Sequence, residues 1–177
     1  MKFCKFTRVS LLVGAVLAAT VTISASPALA QDAKLIGRYG DWEAYTRGGK
    51  DDRFCYIVSK PKEASLRSRR GDIFLLVWHR PAKKEFDVVQ VDAGYSFKEK
   101  TEVELKVGSD EWKLFTRDGN AWTYRGDDDA SIVEAMRKGS RLTVKGTSSR
   151  NNPTTDSYSL KGVTAAHRAM NKACGRS

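Results

Sequence analysis

The sequence predicts a mainly β fold, an antiparallel β-sandwich or barrel-like domain with two helices at about 128–138 and 163–173. Three observations carry that prediction. Short aromatic and β-branched runs alternate polar with apolar residues at a period of two. Clusters of Gly, Asp, Asn and Pro punctuate those runs at close intervals. Beyond residue 30, only two stretches repeat apolar residues at helical spacing.

Residues 41–47 and 53–60 are aromatic-rich and separated by Gly48-Gly49-Lys50-Asp51-Asp52, turn chemistry that makes them the expected first hairpin. Residues 73–78 form a continuous apolar run between Gly71 and Pro81. The run is too short for a helix and predicts a central strand buried on both faces. A strand at 86–91 follows. Val103, Leu105 and Val107 then alternate with Glu102, Glu104 and Lys106, giving a strand with one dry and one wet face. Residues 111–117 and 121–125 flank Asp118-Gly119-Asn120, a hairpin signal because a tight turn needs positive φ, which Gly and Asn tolerate.

Asp127, Asp128 and Asp129 sit at the positive end of the first helix, Ile132, Val133 and Met136 form its stripe, and Arg137, Lys138 and Gly139 close it. Leu142 and Val144 resume strand alternation, 147–155 reads as a polar loop around Asn151-Asn152-Pro153, and 157–161 reads as the last strand. From Val163, the residues Ala166, His167, Met170, Ala173 and Cys174 recur at helical spacing, predicting a terminal helix with one buried face.

The amino terminus reads as a secretory signal peptide over residues 1–30. Lys2, Lys5 and Arg8 precede an apolar stretch from Leu11 to Ile23, and Ala28-Leu29-Ala30 supplies a small-x-small cleavage pattern, cut after Ala30. That stretch is too short and too rich in Ala and Thr for a membrane span, and no later segment approaches the roughly 20 apolar residues one needs. Residues 31–177 suit one domain with a single core. Cys4 leaves with the leader, so Cys55 and Cys174 remain, and in an oxidising compartment their one connectivity predicts a disulfide tying the terminal helix to the second strand. Three of the 31 cations belong to the leader, leaving 28 against 21 acids, a net charge of +7. Export excludes nucleic acid as the working partner and leaves acidic proteins or anionic envelope polymers as electrostatic matches.

Candidate chemistry is sparse. His79 and His167 lie far apart with no His-x-x-x-His or Cys-x-x-Cys companion, so no metal site is expected and each is assigned a packing or rim role. The nucleophile elbow G-x-S-x-G and the phosphate-binding glycine loops are absent, so neither a catalytic residue nor a cofactor is predicted. Asp127-Asp128-Asp129 lacks the alternating oxygen ligands of a calcium loop and is read as helix capping. Arg70-Gly71-Asp72 and Arg125-Gly126-Asp127 are adhesion-type tripeptides, each also placed where Gly and Asp serve a turn or a helix start. Lys60, Lys62, Arg67, Arg69 and Arg70 precede the central strand and Arg80, Lys83 and Lys84 follow it, together a candidate patch for an anion or an acidic partner. Trp42, Trp78, Trp112 and Trp122 all have strand positions that suit a core.

Several stretches together resemble the invasion-associated locus B family of exported bacterial proteins. They are Gly40-Asp41-Trp42, Cys55-Tyr56-Ile57-Val58-Ser59-Lys60-Pro61, Leu114-Phe115-Thr116 with Ala121-Trp122, and Ala135-Met136-Arg137-Lys138-Gly139. Val144-Lys145-Gly146-Thr147-Ser148, Tyr158-Ser159-Leu160-Lys161-Gly162 and the ending Ala173-Cys174-Gly175 continue the likeness in order. The resemblance implies a Gram-negative periplasmic or surface-associated β-sandwich protein with no catalytic residues to carry over. The chain departs from many members in having Tyr45-Thr46-Arg47 where they carry a cysteine after the Gly-Asp-Trp motif, which leaves Cys55 for Cys174.

The expected function is an exported, non-enzymatic binding protein whose partner is an envelope or host-surface protein or an anionic envelope polymer. Two alternatives stand beside it: an envelope hydrolase with a distributed site near His79, and a host-cell adhesin using the two Arg-Gly-Asp tripeptides. The geometry of His79 separates module from enzyme, since an open cleft with a Ser or acid favours catalysis and close packing favours the module.

Overall fold

The computed structural model describes residues 33–176; the leader, its cleavage site and Cys4 lie outside the described residues. The strands are β1 Lys34–Tyr39, β2 Trp42–Arg47, β3 Phe54–Ser59, β4 Glu63–Ala64, β5 Phe74–Arg80, β6 Glu85–Asp92, β7 Glu102–Val107, β8 Asp110–Arg117, β9 Asn120–Thr123, β10 Arg141–Thr147 and β11 Pro153–Ser159. Helix α1, Gly126–Lys138, separates β9 from β10, and α2, Val163–Ala173, follows β11. All the strand pairs are antiparallel, in the order β1-β2-β3-β5-β6-β9-β8-β7-β10-β11-β4.

That order forces a roll. β3 ends at Ser59 and β4 begins at Glu63, yet the two stand near opposite ends of the sheet. The connecting steps reach roughly 14 Å at most. The sheet therefore curls until its ends meet, and two bonds seal the seam. Trp42 Nε1 donates to Ser159 O at 3.0 Å, and Asp41 N donates to Lys161 O at 3.0 Å. The mainly β, barrel-like expectation holds, with one face of each helix packed against the strands.

Alternation builds the interior. Ala44, Cys55, Ile57, Leu75, Val77, Val89, Val91, Val103, Leu105 and Leu142 point inward and are buried, while their neighbours along each strand point out. Helix α1 presents Ile132, Val133 and Met136 to this core and is bolted to β6 by Val89 N donating to Asp129 Oδ1 at 2.8 Å. Helix α2 spans the expected residues, buries Val163, Ala166, His167 and Met170, and lies against β1, β2, β3 and β5. The disulfide forms as expected, joining Cys55 of β3 to Cys174 just past α2 across 119 residues.

Several local expectations are corrected. The expected pairing of 41–47 with 53–60 forms as β2–β3, but β1–β2 precedes it as the first hairpin, because a register break between Leu35 and Gly37 hides the alternation of β1. Gly40 makes its turn at φ 61, where a Cβ would sit 2.6 Å from Lys161 O, so a side chain has no room. In the β8–β9 turn, positive φ falls on Asp118 (53°) rather than on Gly119 or Asn120. β11 starts at Pro153 inside the expected polar loop, since a proline at the first residue of a strand forfeits little of the ladder. β5 is internal to the sheet, but only its Leu75, Val77 and His79 face is fully buried. Of the four tryptophans only Trp42 is buried, for the others lie half-exposed on β5, β8 and β9.

Candidate functional site

The titratable groups converge where β5 passes into β6. The pairing slips between Trp78 and Arg80, and Asp87 adopts a left-handed φ of 57°. Such a bulge re-aims side chains, and Asp tolerates this region better than most residues. It turns both the Asp87 amide and its carboxylate toward His79. The amide donates to His79 Nδ1 at 2.9 Å, so the ring proton sits on Nε2, which donates to Asn171 Oδ1 at 2.6 Å. His167 Nε2, one turn before Asn171 on α2, donates to Asp87 Oδ1 at 2.6 Å. Arg176 Nη1 holds the other carboxylate oxygen. The two rings meet edge to face, with centroids 6.0 Å apart.

Burial of His79, whose exposure is 0%, pushes its pKa down, with His167 and Arg176 adding to the fall while Asn171 and Asp87 oppose it. For Asp87, burial alone raises the pKa, but the His167 hydrogen bond and the His167, His79 and Arg176 charges reverse that and hold it low. Elsewhere in the interior, burial lifts Asp129 to about 6 despite its bond from Val89.

His79, Asp87 and His167 each offer a ligand atom within 4.8 Å of the others, the spacing of a three-ligand cation site. The proton count argues against it. A metal on His79 Nε2 requires the proton on Nδ1, which already accepts from the Asp87 amide, and Arg176 adds a positive charge beside the shared carboxylate. As built, the cluster docks α2 onto β5 and β6.

A cleft of about 530 Å³ opens between α1 and α2, reaching His167, Asp87 and Asn171 at its floor. Thr164 supplies a hydroxyl there, but it donates to Arg137 O at 3.5 Å. Among the described residues neither histidine hydrogen-bonds a hydroxyl or thiol, so the geometry of nucleophile and base is missing. His79 itself packs against Phe86 and His167.

The structure divides the predicted basic patch. Lys60, Lys62, Arg67 and Arg69 are exposed near the start of β5, while Lys83 and Lys84 are exposed, and Arg80 half-exposed, at its other end. A strand of that length separates them by roughly 20 Å. Lys60 pairs with Asp72 at 3.4 Å and Lys62 with Asp41 at 2.5 Å.

Arg70 leaves the patch altogether. Its side chain is 2% exposed and binds Asp156 through both oxygens at 2.6 Å. The first adhesion tripeptide therefore lacks its cation, because burial and this pairing withdraw Arg70 from any outside partner. The second tripeptide is exposed, yet Arg125 pairs with Asp128 at 3.0 Å, and Gly126 and Asp127 already belong to the first turn of α1.

Sequence reasoning missed Asp87, Asn171 and Arg176. The one available signal was the spacing of His167 and Asn171, which places both on one face of a helix. Nothing local announces the bulge that brings Asp87 to them.

The family model described as Invasion associated locus B (IalB) protein matches residues 42–171. Comparison with curated proteins gives no match. Among solved structures, the crystal structure of invasion associated protein B from Bartonella henselae is similar with a TM-score of 0.57 and 18% identity, over 79% of this chain and 98% of that one. At that identity the likeness speaks for the fold, while the family model runs from β2 through most of α2. The chain belongs to the invasion associated locus B family.

Proposed function

We propose that the protein is an exported, non-enzymatic binding module of the bacterial envelope, periplasmic or surface-associated. The observation that carries this reading is the closure of the His79 cluster. Both ring nitrogens are engaged, the ring is fully buried, and no nucleophile adjoins either histidine among the described residues. Export is supported by the leader pattern in residues 1–30 and by a disulfide, which persists in oxidising compartments. Among the described residues no helix is long and apolar enough to cross a membrane.

Cell fractionation with amino-terminal sequencing tests export: protein beginning at residue 31 in the periplasm or medium is expected. Full-length protein with free thiols in the cytoplasm overturns it. A panel of peptidoglycan, ester and peptide substrates tests the rest. Turnover by the wild type that disappears in His79→Gln replaces the module with the hydrolase.

A further inference from the structure

β2, β3 and β5 carry two different faces. Their inner face is covered by α2, but their outer face bears Tyr45, Phe54, Tyr56 and Trp78, all half-buried. Register aligns them, since Tyr45 opposes Tyr56, Tyr56 opposes Trp78, and Arg47 opposes Phe54. Tyr45 stacks on Tyr56 with centroids 5.2 Å apart and planes 14° apart, and Phe54 lies 5.7 Å from Tyr56 and 5.4 Å from Trp78. The Arg47 guanidinium sits 4.7 Å from the Phe54 centroid, and that of Arg80 sits 5.7 Å from Phe54 and 5.3 Å from Trp78. Both helices attach to inward-facing residues, so neither covers these rings.

Resting on the binding-module reading, we infer that this outer face of β2, β3 and β5 docks an acidic partner protein. Cross-strand pairing stabilises such rings within the sheet, and Tyr, Trp, Phe and Arg gathered on one uncovered face are also the residues enriched where protein interfaces bury their centres. The ring faces are spent on one another and beneath the guanidiniums. Rings already occupied by one another and by guanidiniums suit a flat protein surface better than a sugar ring seeking an aromatic face.

Charge selects the sign of the partner. Among the described residues Arg47 has no carboxylate within ion-pair distance, Arg80 reaches Glu85 only at 3.7 Å, and Lys83 and Lys84 extend the positive rim. A partner that brings carboxylates to Arg47 and Arg80 gains charge-assisted hydrogen bonds. A second copy of the chain would set like charges against each other.

The test uses the full chain produced in its own bacterium, with a photoreactive phenylalanine analogue at position 56 or, as control, at position 134 on α1. Expected is capture of an acidic protein from position 56 at about ten times the yield from position 134. That yield should fall about tenfold in Arg47→Glu/Arg80→Glu and at raised salt. Should the reversed pair fail to fold by circular dichroism, Arg47→Gln/Arg80→Gln is read the same way. No capture at 56, equal capture at 134, self-linked dimers, polysaccharide adducts alone, or indifference to both charge variants overturns the inference. A partner captured only at 134 leaves the module reading standing, whereas substrate turnover without any partner removes that reading itself.

Discussion

Two buried polar clusters stand at opposite ends of β5 and solve the same problem differently. At the start of the strand, the Arg70 guanidinium gives two bonds to the Asp156 carboxylate, two to Ala93 O and one to Ser65 O, so all five of its donors are used. It also covers the Tyr95 ring at 4.8 Å. At the far end, His79, Asp87, His167 and Arg176 join β5, β6 and the α2 terminus through two imidazoles, a carboxylate and a guanidinium. The first cluster fastens the β4–β11 edge to the end of β6 by fixed charge. The second depends on a proton arrangement and on a neighbouring covalent tie, because Cys55 is the register partner of His79. A saturated pair can only hold, whereas a titratable one responds to its surroundings.

The strongest way to sharpen that contrast is to cut the tie. Cys55→Ala with Cys174→Ala is expected to cost about 4–5 kcal/mol by chain entropy, read by chemical denaturation. Hydrogen exchange should rise first in α2 and around Asp87, while the amides of Arg70 and Asp156 stay protected. Uniform loss at both ends would make the clusters one cooperative unit and break the comparison.

Next in size, Arg70→Met alone should cost about 3–5 kcal/mol, since it strands a buried carboxylate. Arg70→Met/Asp156→Leu should recover most of that in the same denaturation assay, because two apolar groups leave nothing unpaired. A double variant as unstable as the single one would show that the Ala93 and Ser65 bonds, not the ion pair, carry the site.

Asp87 separates backbone strain from charge at the other cluster. Asp87→Ala and Asp87→Gly both delete the carboxylate, but only alanine keeps a Cβ at φ 57°. Glycine is therefore expected to be about 1 kcal/mol the more stable of the two by thermal unfolding. Equal stabilities would mean that the bulge relaxes once the carboxylate is gone.

What was legible in the sequence was local. The stripe of α2, the alternation of Val103, Leu105 and Val107, and the lone cysteine pair each reveal themselves within a short window, and each is found as expected. Arg70 misleads because its residue type belongs to surfaces, and its partner Asp156 is 86 positions away with no pattern linking them. The aromatic residues of β2, β3 and β5 were read as core candidates or left unassigned, because alternation shows that a strand has two faces but not which one a helix will cover. The His79 cluster was hidden for a third reason: a one-residue slip in pairing decides where Asp87 points.

The smallest expected effect is a pH slope, and its sign follows from two buried groups. His79 faces Asp87 from β6, His167 and Asn171 from α2, and Arg176 beyond it, with burial the main cause of its lowered pKa. The unfolded chain then binds that proton more readily, so stability falls as pH drops below about 6.5, by at most about 1.4 kcal/mol per unit. Asp129 works in the opposite sense. Its pKa of about 6 exceeds the unfolded value near 3.9, so the folded chain takes up the proton and stability rises as pH falls through that window. Asp87, held low, loses its contribution only in more acid solution. The wild type should therefore change little between pH 6 and 5 in urea titrations, with the two slopes opposed. His79→Gln should grow more stable on acidification over that range, and Asp129→Asn should grow less stable. If His79→Gln follows the wild-type profile, the buried ring carries no titration, and the far cluster is as fixed as the Arg70 pair.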